Sequence, residues 1–211
     1  MSLKRLFIDT KRIDPIEKLI TLNFEETNYL FKVLRFRLND ILYVVNGKGS
    51  AWKAKIITNN KLKLLSDIKK PDIHVEMDEY QIGIAIALPK KGIEECLRMS
   101  TEIGIDFIQL LITERTQFKN HSSHKINRYM NIIRESVEQC ERLWVPEIKN
   151  PLTLNEWLNI KTKDDVFSVA VTRNKNIIYV EEWIKNLENR FRNYWIVIGP
   201  EGGWSNDELL L

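Results

Sequence analysis

Cysteine is scarce in this chain of 211 residues: its two thiols, Cys96 and Cys140, lie far apart, each inside a helical pattern. That excludes a disulfide framework and a metal knuckle, and both are read as buried thiols. Histidine is equally uninformative. His121 and His124 sit among Asn, Ser and Lys in an expected loop, without further ligands nearby, so no metal is expected. The longest apolar runs, such as 82–88 and 195–198, fall far short of a bilayer span, and the N-terminus has charges where a signal peptide needs an apolar stretch. The expectations are a cytoplasmic protein with no membrane partner. What is present is ordinary for a globular protein: 44% hydrophobic and 29% charged residues argue against disorder, and the length suits two modest domains, each with its own core.

The net charge of +3 conceals a segregation. Residues 1–70 hold 15 Lys and Arg against 7 Asp and Glu, a balance of +8, whereas residues 71–211 hold 17 against 22, a balance of −5. A basic first third suits a polyanion-docking module, because Lys and Arg neutralise phosphates irrespective of sequence. The bland alternative is that lysine merely solubilises the surface.

The first segment reads as short strands and turns with one helix. Asn23 and Glu26 form a capping box, and Tyr29, Leu30, Val33 and Leu34 make an apolar stripe at helical spacing, which predicts a helix over about 25–36. Strands at 41–45 and 51–57 joined by Asn46-Gly47-Lys48-Gly49 read as a hairpin, followed by a strand at 62–65. A small β-barrel protects the edges of such short strands. Residues 69–72 form the linker, dividing the chain into 1–71 and 72–211.

Beyond residue 80 the rhythm becomes strand, helix, strand, helix, the pattern of a parallel α/β sheet. The strand at 81–88 is apolar almost throughout, as burial on both faces requires. Helices are expected at about 92–103, 125–142 and 180–189, and strands near 107–112, 166–171 and 195–198. At the end, Ser205 and Glu208 form a second capping box followed by three leucines, so a helix is announced just where the chain stops, and further residues are expected beyond Leu211.

Three places carry chemistry. A buried strand runs into Gly199-Pro200-Glu201-Gly202-Gly203, whose backbone can approach a ligand closely, although a purely structural strand-to-helix turn would use the same residues. It is not a phosphate-binding P-loop: no Gly-Lys-Ser/Thr follows, and Glu201 would repel phosphate. Glu135, Glu138, Gln139 and Arg142 share one helix face, which suits either a site or a solvated surface. Thr101, Glu102 and Gly104, and Thr113-Glu114-Arg115-Thr116 at the carboxyl end of a strand, lie where α/β folds bind ligands, or form salt-bridged loops.

These residues, with YLFKVLR at 29–35, VNGKGSAW at 45–52, ALPKKG at 87–92, TEIG at 101–104, TERT at 113–116, EQCERLWVP at 138–146 and IGPEGGWS at 198–205, resemble the RsmE family of 16S ribosomal RNA uracil-N3 methyltransferases, of the SPOUT class, over essentially the whole chain. The resemblance implies a PUA-like RNA-binding barrel followed by a knotted α/β methyltransferase domain, a homodimer, and S-adenosylmethionine as cofactor. It implies that Gly199, Pro200, Glu201, Gly202 and Gly203 line the cofactor, with Thr172 on a neighbouring strand end. Two departures stand out: the family's C-terminal segment, with the end of its knot, is absent, and Met99-Ser100 precede Thr101-Glu102 where many members carry lysine or glutamine.

The uridine N3 proton must be lost while charge spreads onto O2 and O4. Arg115 and Arg142 are the expected stabilisers, Glu138 the base and Gln139 the orienter of the uracil edge. Arg5, Lys32, Arg35, Arg37, Lys53 and Lys55 are the expected phosphate contacts on 16S rRNA. The principal rival is a non-enzymatic RNA-binding or ribosome-assembly factor of the same fold.

Overall fold

The computed structural model describes residues 3–116, 123–171, 178–187 and 191–211, and the chain forms two compact units. The first comprises Met1–Met77 together with Val137–Val145; the second comprises Asp78–Ser136 and Pro146–Leu211. Residues 137–145, which the sequence reading groups with 72–211, thus pack within the first unit.

The first unit is a six-stranded sheet: β1 (Arg5–Phe7), β2 (Leu19–Thr21), β3 (Ile41–Val45), β4 (Ser50–Thr58), β5 (Lys61–Leu64) and β6 (Ile73–His74). Its order is β1-β3-β4-β5-β2, with β6 paired to β4; only the β1–β3 pair is parallel. Alternation along β4 and β5 sends Trp52, Ala54, Ile56, Leu62 and Leu64 inward. There they meet Leu6 and Ile8 from one end of the sheet and Ile20 and Leu22 from the other, so the strands curl around a single core. The expected hairpin is present. Asn46 Oδ1 accepts the N–H groups of Lys48 (2.8 Å) and Ser50 (3.0 Å), and Gly49 has φ +83.

The expected capping box is formed: Glu26 N–H donates to Asn23 Oδ1 and Asn23 N–H to Glu26 Oε2, both at 2.8 Å. The helix itself differs from the expected span. Helix α1 covers Phe24–Asn28 and continues as a π-helical turn, Tyr29–Val33, closed by Leu34 N–H to Tyr29 O at 2.9 Å. A π turn adds one residue to the repeat, which rotates the stripe: Leu30 is fully buried and Phe31 packs on the core, whereas Val33 is 64% exposed. Arg35, at φ +58, ends the helix.

The second unit contains β7 (Gln81–Ala87), α2 (Ile93–Ile103), β8 (Phe107–Ile112), α3 (Ser123–Cys140, its last turn in the first unit), β9 (Glu147–Thr153), α4 (Leu154–Asn159), β10 (Asp165–Ala170), α5 (Val180–Lys185) and β11 (Asn193–Ile198). All five strands are parallel, in the order β10-β11-β7-β8-β9. The sequence reading missed β9 because Pro151 interrupts it. An edge strand tolerates proline, and this one pairs on one side only, through an irregularity opposite Gln109–Leu111 where the buried Gln109 amide donates to Asn150 O at 2.8 Å. Helix α5 stops short of the expected 189, and residues 188–190 lie outside the described residues. Among the described residues no helix is long and apolar enough to cross a membrane.

The core of this unit pivots on Trp195 of β11, 2% exposed. Its ring stacks on Phe107 (5.7 Å between centroids), meets Trp157 of α4 edge-on (5.5 Å) and lies under the Lys161 ammonium at 3.9 Å. Its indole N–H donates to Asp165 at 2.8 Å, and Asp165 in turn pairs with Lys161 at 3.6 Å. Burial pushes the Lys161 ammonium below its ordinary value, against the pull of Asp165. Gly83, registered opposite Trp195, leaves the room: a Cβ there would stand 2.4 Å from the indole ring. Gly83→Ala is therefore expected to cost about 1–3 kcal/mol through overpacking, read as a lowered urea midpoint with unchanged slope; an unaltered midpoint would refute the tight fit.

Candidate active site and nucleic-acid face

The carboxyl ends of parallel strands gather the loops that bind ligands in such sheets. Here β7 leads into 88–92, β8 into the turn at 113–116, and β11 into the glycine loop at 199–203. The turn after β8 is closed on itself. Thr113 and Thr116 are buried, their hydroxyls 2.8 Å apart, and Thr113 N–H donates to Thr116 Oγ1 at 2.9 Å. Glu114 and Arg115 are thereby left exposed at its tip.

The glycine loop is held by polar links to its neighbours. Arg115 Nη1 donates to Gly202 O at 2.8 Å, Lys90 N–H donates to Glu201 Oε1 at 2.8 Å, and Trp204 Nε1 donates to Ala170 O, at the end of β10, at 3.1 Å. Hydrogen bonds from its own backbone and from Lys90 N–H hold the Glu201 carboxyl below the ordinary glutamate range. Gly199 and Gly202 make room for these partners: a Cβ on Gly199 would stand 2.8 Å from the Trp204 ring, and one on Gly202 would touch the Arg115 side chain at 3.4 Å. Gly203 differs. Its φ is +72, and a Cβ there would meet nothing within 4 Å, so its backbone borders open space. Pro200 is buried beneath the loop and accepts Gly203 N–H at 2.8 Å. Thr172 lies outside the described residues.

The TEIG segment ends α2. Thr101 is fully buried, its hydroxyl donating to Leu97 O at 2.8 Å, and Gly104 caps the helix, so this motif acts through structure.

Glu138, Gln139 and Arg142 belong to the first unit. Glu138 Oε1 accepts Phe7 N–H at 2.7 Å, and Gln139 Nε2 donates to Tyr29 OH at 3.2 Å. Arg142 is half-buried beyond Glu141, whose φ of +62 terminates α3. The following residues join the glycine turn of the hairpin: Gly49 N–H donates to Leu143 O at 2.9 Å, Val145 N–H to Gly47 O at 3.0 Å, and Trp144 Nε1 to Val75 O at 3.0 Å. Two of the sequence motifs, at 45–52 and 138–146, therefore pack on each other.

Among the expected phosphate contacts, Arg5 is engaged internally. Its guanidinium donates to the Glu141 carbonyl and pairs with the Glu141 carboxylate at 3.3 Å, with its side chain 11% exposed. Lys32, Arg35 and Arg37 are exposed on the π turn and the segment after it. Lys53 and Lys55 stand on the outward-facing side of β4, and Lys55 is registered directly opposite Lys63 of β5. Sequence reasoning did not single out Lys61 and Lys63. The available signal was the alternation Lys61-Leu62-Lys63-Leu64, which puts both lysines on one face and both leucines on the other. Like charges directly opposite cost stability, and β4 and β5 are interior strands, so edge protection does not account for the lysines there.

Residues 76–211 match the family model described as an RNA methyltransferase domain, and residues 22–69 match that of an RNA methyltransferase PUA domain. The chain is 32% identical to the ribosomal RNA small subunit methyltransferase E of Synechocystis sp. (98% of this chain, 67% of the relative) and 30% identical to that of Rickettsia conorii (100% and 83%). Its fold matches a ribosomal RNA small subunit methyltransferase E of Neisseria gonorrhoeae bound to S-adenosyl methionine, with a TM-score of 0.79 at 19% identity over 99% of this chain and 84% of that one. A Legionella pneumophila protein solved with bound cofactor SAM matches equally well, with a TM-score of 0.79 at 23% identity over 100% and 85%.

Proposed function

The chain belongs to the ribosomal RNA small subunit methyltransferase E family, and from that premise we propose that it methylates N3 of a uridine in 16S ribosomal RNA, with S-adenosylmethionine as methyl donor. The observation that carries this reading is the glycine loop at the carboxyl edge of the parallel sheet, anchored on three sides and bordering open space at Gly203. Gly199, Pro200, Glu201, Gly202 and Gly203 would hold the cofactor. Main-chain groups beside a carboxylate suit a nucleoside rather than a phosphate cluster. When bound, S-adenosylmethionine supplies a methyl group already activated on its sulfonium.

The chain's own work is to bind, orient and stabilise. Uridine N3 loses its proton as the N–CH3 bond forms, and the charge spreading onto O2 and O4 calls for donors. Arg115 and Arg142 are carried forward in that role; Arg115 gives one of its five N–H groups to Gly202 O. Glu138 and Gln139 are already hydrogen-bonded to Phe7 and Tyr29, which favours their holding the segment that bears Arg142. Incubated with small-subunit ribosomal RNA and methyl-labelled cofactor, the chain should place one methyl at uridine N3, mapped by mass spectrometry of digests. Arg142→Ala should slow transfer by roughly 10²-fold or more with cofactor affinity little changed. RNA binding without any methyl transfer would favour the inactive ribosome-assembly factor instead.

The basic face of the first unit would supply the RNA affinity, with Lys53, Lys55, Lys63, Lys32, Arg35 and Arg37 as phosphate contacts. On single-stranded RNA the logarithm of affinity should fall steeply with the logarithm of salt concentration. The double change Lys55→Gln, Lys63→Gln should reduce that slope by roughly 1.4, about 0.7 per phosphate contact removed, and an unchanged slope would remove these two lysines from the interface.

A cytoplasmic homodimer is part of the same proposal. Its support is the set of exposed apolar side chains of this unit, Met99 and Ile103 of α2, 55% and 76% exposed, and Ile82 of β7, 45% exposed. Sedimentation equilibrium should give twice the chain mass, and a monomer at micromolar concentration would refute it.

A further inference from the structure

The turn that follows the glycine loop does more than cap itself. Ser205 N–H donates to Glu208 Oε2 at 3.0 Å and Glu208 N–H returns to Ser205 Oγ at 3.2 Å, the reciprocal pair that the sequence announces. Capping uses one carboxylate oxygen. The other, Oε1, accepts the N–H of Glu114 at 2.7 Å, from a residue 94 positions earlier at the tip of the turn after β8. From that same tip, the Arg115 guanidinium donates to Gly202 O. Two hydrogen bonds involving charged groups therefore run from donors in the turn at 113–116 to acceptors in the segment 199–208, one to a carboxylate and one from a guanidinium. Such bonds are shorter and stronger than neutral ones, and here both bridge segments that no β-pairing joins directly, since β8 and β11 lie on either side of β7.

We propose that Glu208 is a positioning residue for the proposed methyl transfer: with Arg115 it locks the turn after β8 to the glycine loop, fixing the backbone that receives the cofactor. This rests on the reading that the glycine loop binds S-adenosylmethionine. Glu208 acts through Glu114 N–H and Ser205 N–H, so its removal should fall chiefly on cofactor binding and touch the chemical step only through the placement of Arg115.

The test is calorimetric titration of S-adenosylhomocysteine into the full chain and into Glu208→Ala, Glu208→Gln, Arg115→Ala and the Glu208→Ala, Arg115→Ala double variant. Each alanine single variant should weaken binding roughly tenfold, the worth of a hydrogen bond to a charged group. The glutamine variant, with one acceptor oxygen in place of two, should fall in between. Because both residues close one lock, the double variant should lose little more than the worse single, not the roughly 100-fold product of independent effects. For Glu208→Ala, KM for the cofactor should rise while kcat falls far less than in Arg115→Ala, which also loses the donor itself. In parallel, amide hydrogen exchange without ligand should show Glu114 and its neighbours losing protection in Glu208→Ala. Unchanged protection, unchanged affinity, or losses that multiply in the double variant would each overturn the lock. Failure of the unaltered chain to bind S-adenosylhomocysteine would overturn the cofactor reading instead, while the exchange measurement still judges whether Glu208 orders the turn.

Discussion

The second unit depends on one placement: β11, late in the chain, is inserted between β10 and β7. Its six residues pair in parallel on both sides, Asn193–Ile198 against Asp165–Ala170 and against the first six residues of β7. A strand enclosed in this way must be apolar on both faces, and Tyr-Trp-Ile-Val-Ile meets that demand. Trp195 anchors the insertion through stacked rings, through an indole hydrogen bond to a half-buried carboxylate, and through the gap left by Gly83. Because β11 is an interior strand, the loop that leaves it emerges within the carboxyl edge, within reach of the segments following β7, β8 and β10.

That interior exit explains why so few residues suffice to build a candidate site. Glu201, read from sequence as a repellent of phosphate and, by resemblance, as a residue lining the cofactor, is in addition a tether, because its carboxylate takes the Lys90 N–H. Trp204, which no sequence argument singled out, fills the face that Gly199 leaves bare and ties the loop to the end of β10. The three glycines thus have unequal duties. Two yield space to side chains of the protein, and one opens toward solvent.

The fold was legible wherever a run was long enough to show its period. The strands at 41–45 and 107–112, the strand expected at 195–198 and found at 193–198, the hairpin turn and the capping boxes all follow from local chemistry. Strands β1, β2 and β6 hold three residues or fewer, too short for alternation to register, and Pro151 masked β9 because sequence does not reveal which strand lies at an edge. At the site, the glycine loop and the turn bearing Arg115 stood out through their place at strand ends. The shared face of Glu138, Gln139 and Arg142 was equally visible, but its partners were not, since Phe7 and Tyr29 precede Glu138 and Gln139 by 131 and 110 residues. Spacing along a helix reports which side chains share a direction, and only the tertiary structure says what they meet.

The inclusion of residues 137–145 in the first unit bears on how the chain is made. Ribosomes deliver a protein from its N-terminus, and a contiguous leading module can finish folding while the remainder is still being synthesised. Here that order is interleaved. The first sheet lacks the strip that covers Gly47 and Gly49 until residue 145 has emerged, by which time β7 is already waiting with an open edge for β11, about fifty residues further on, and β8 with one for β9. The second sheet cannot close until β11 has emerged, so the nascent polypeptide carries an unpaired apolar edge on β7 long after the first unit has all its residues.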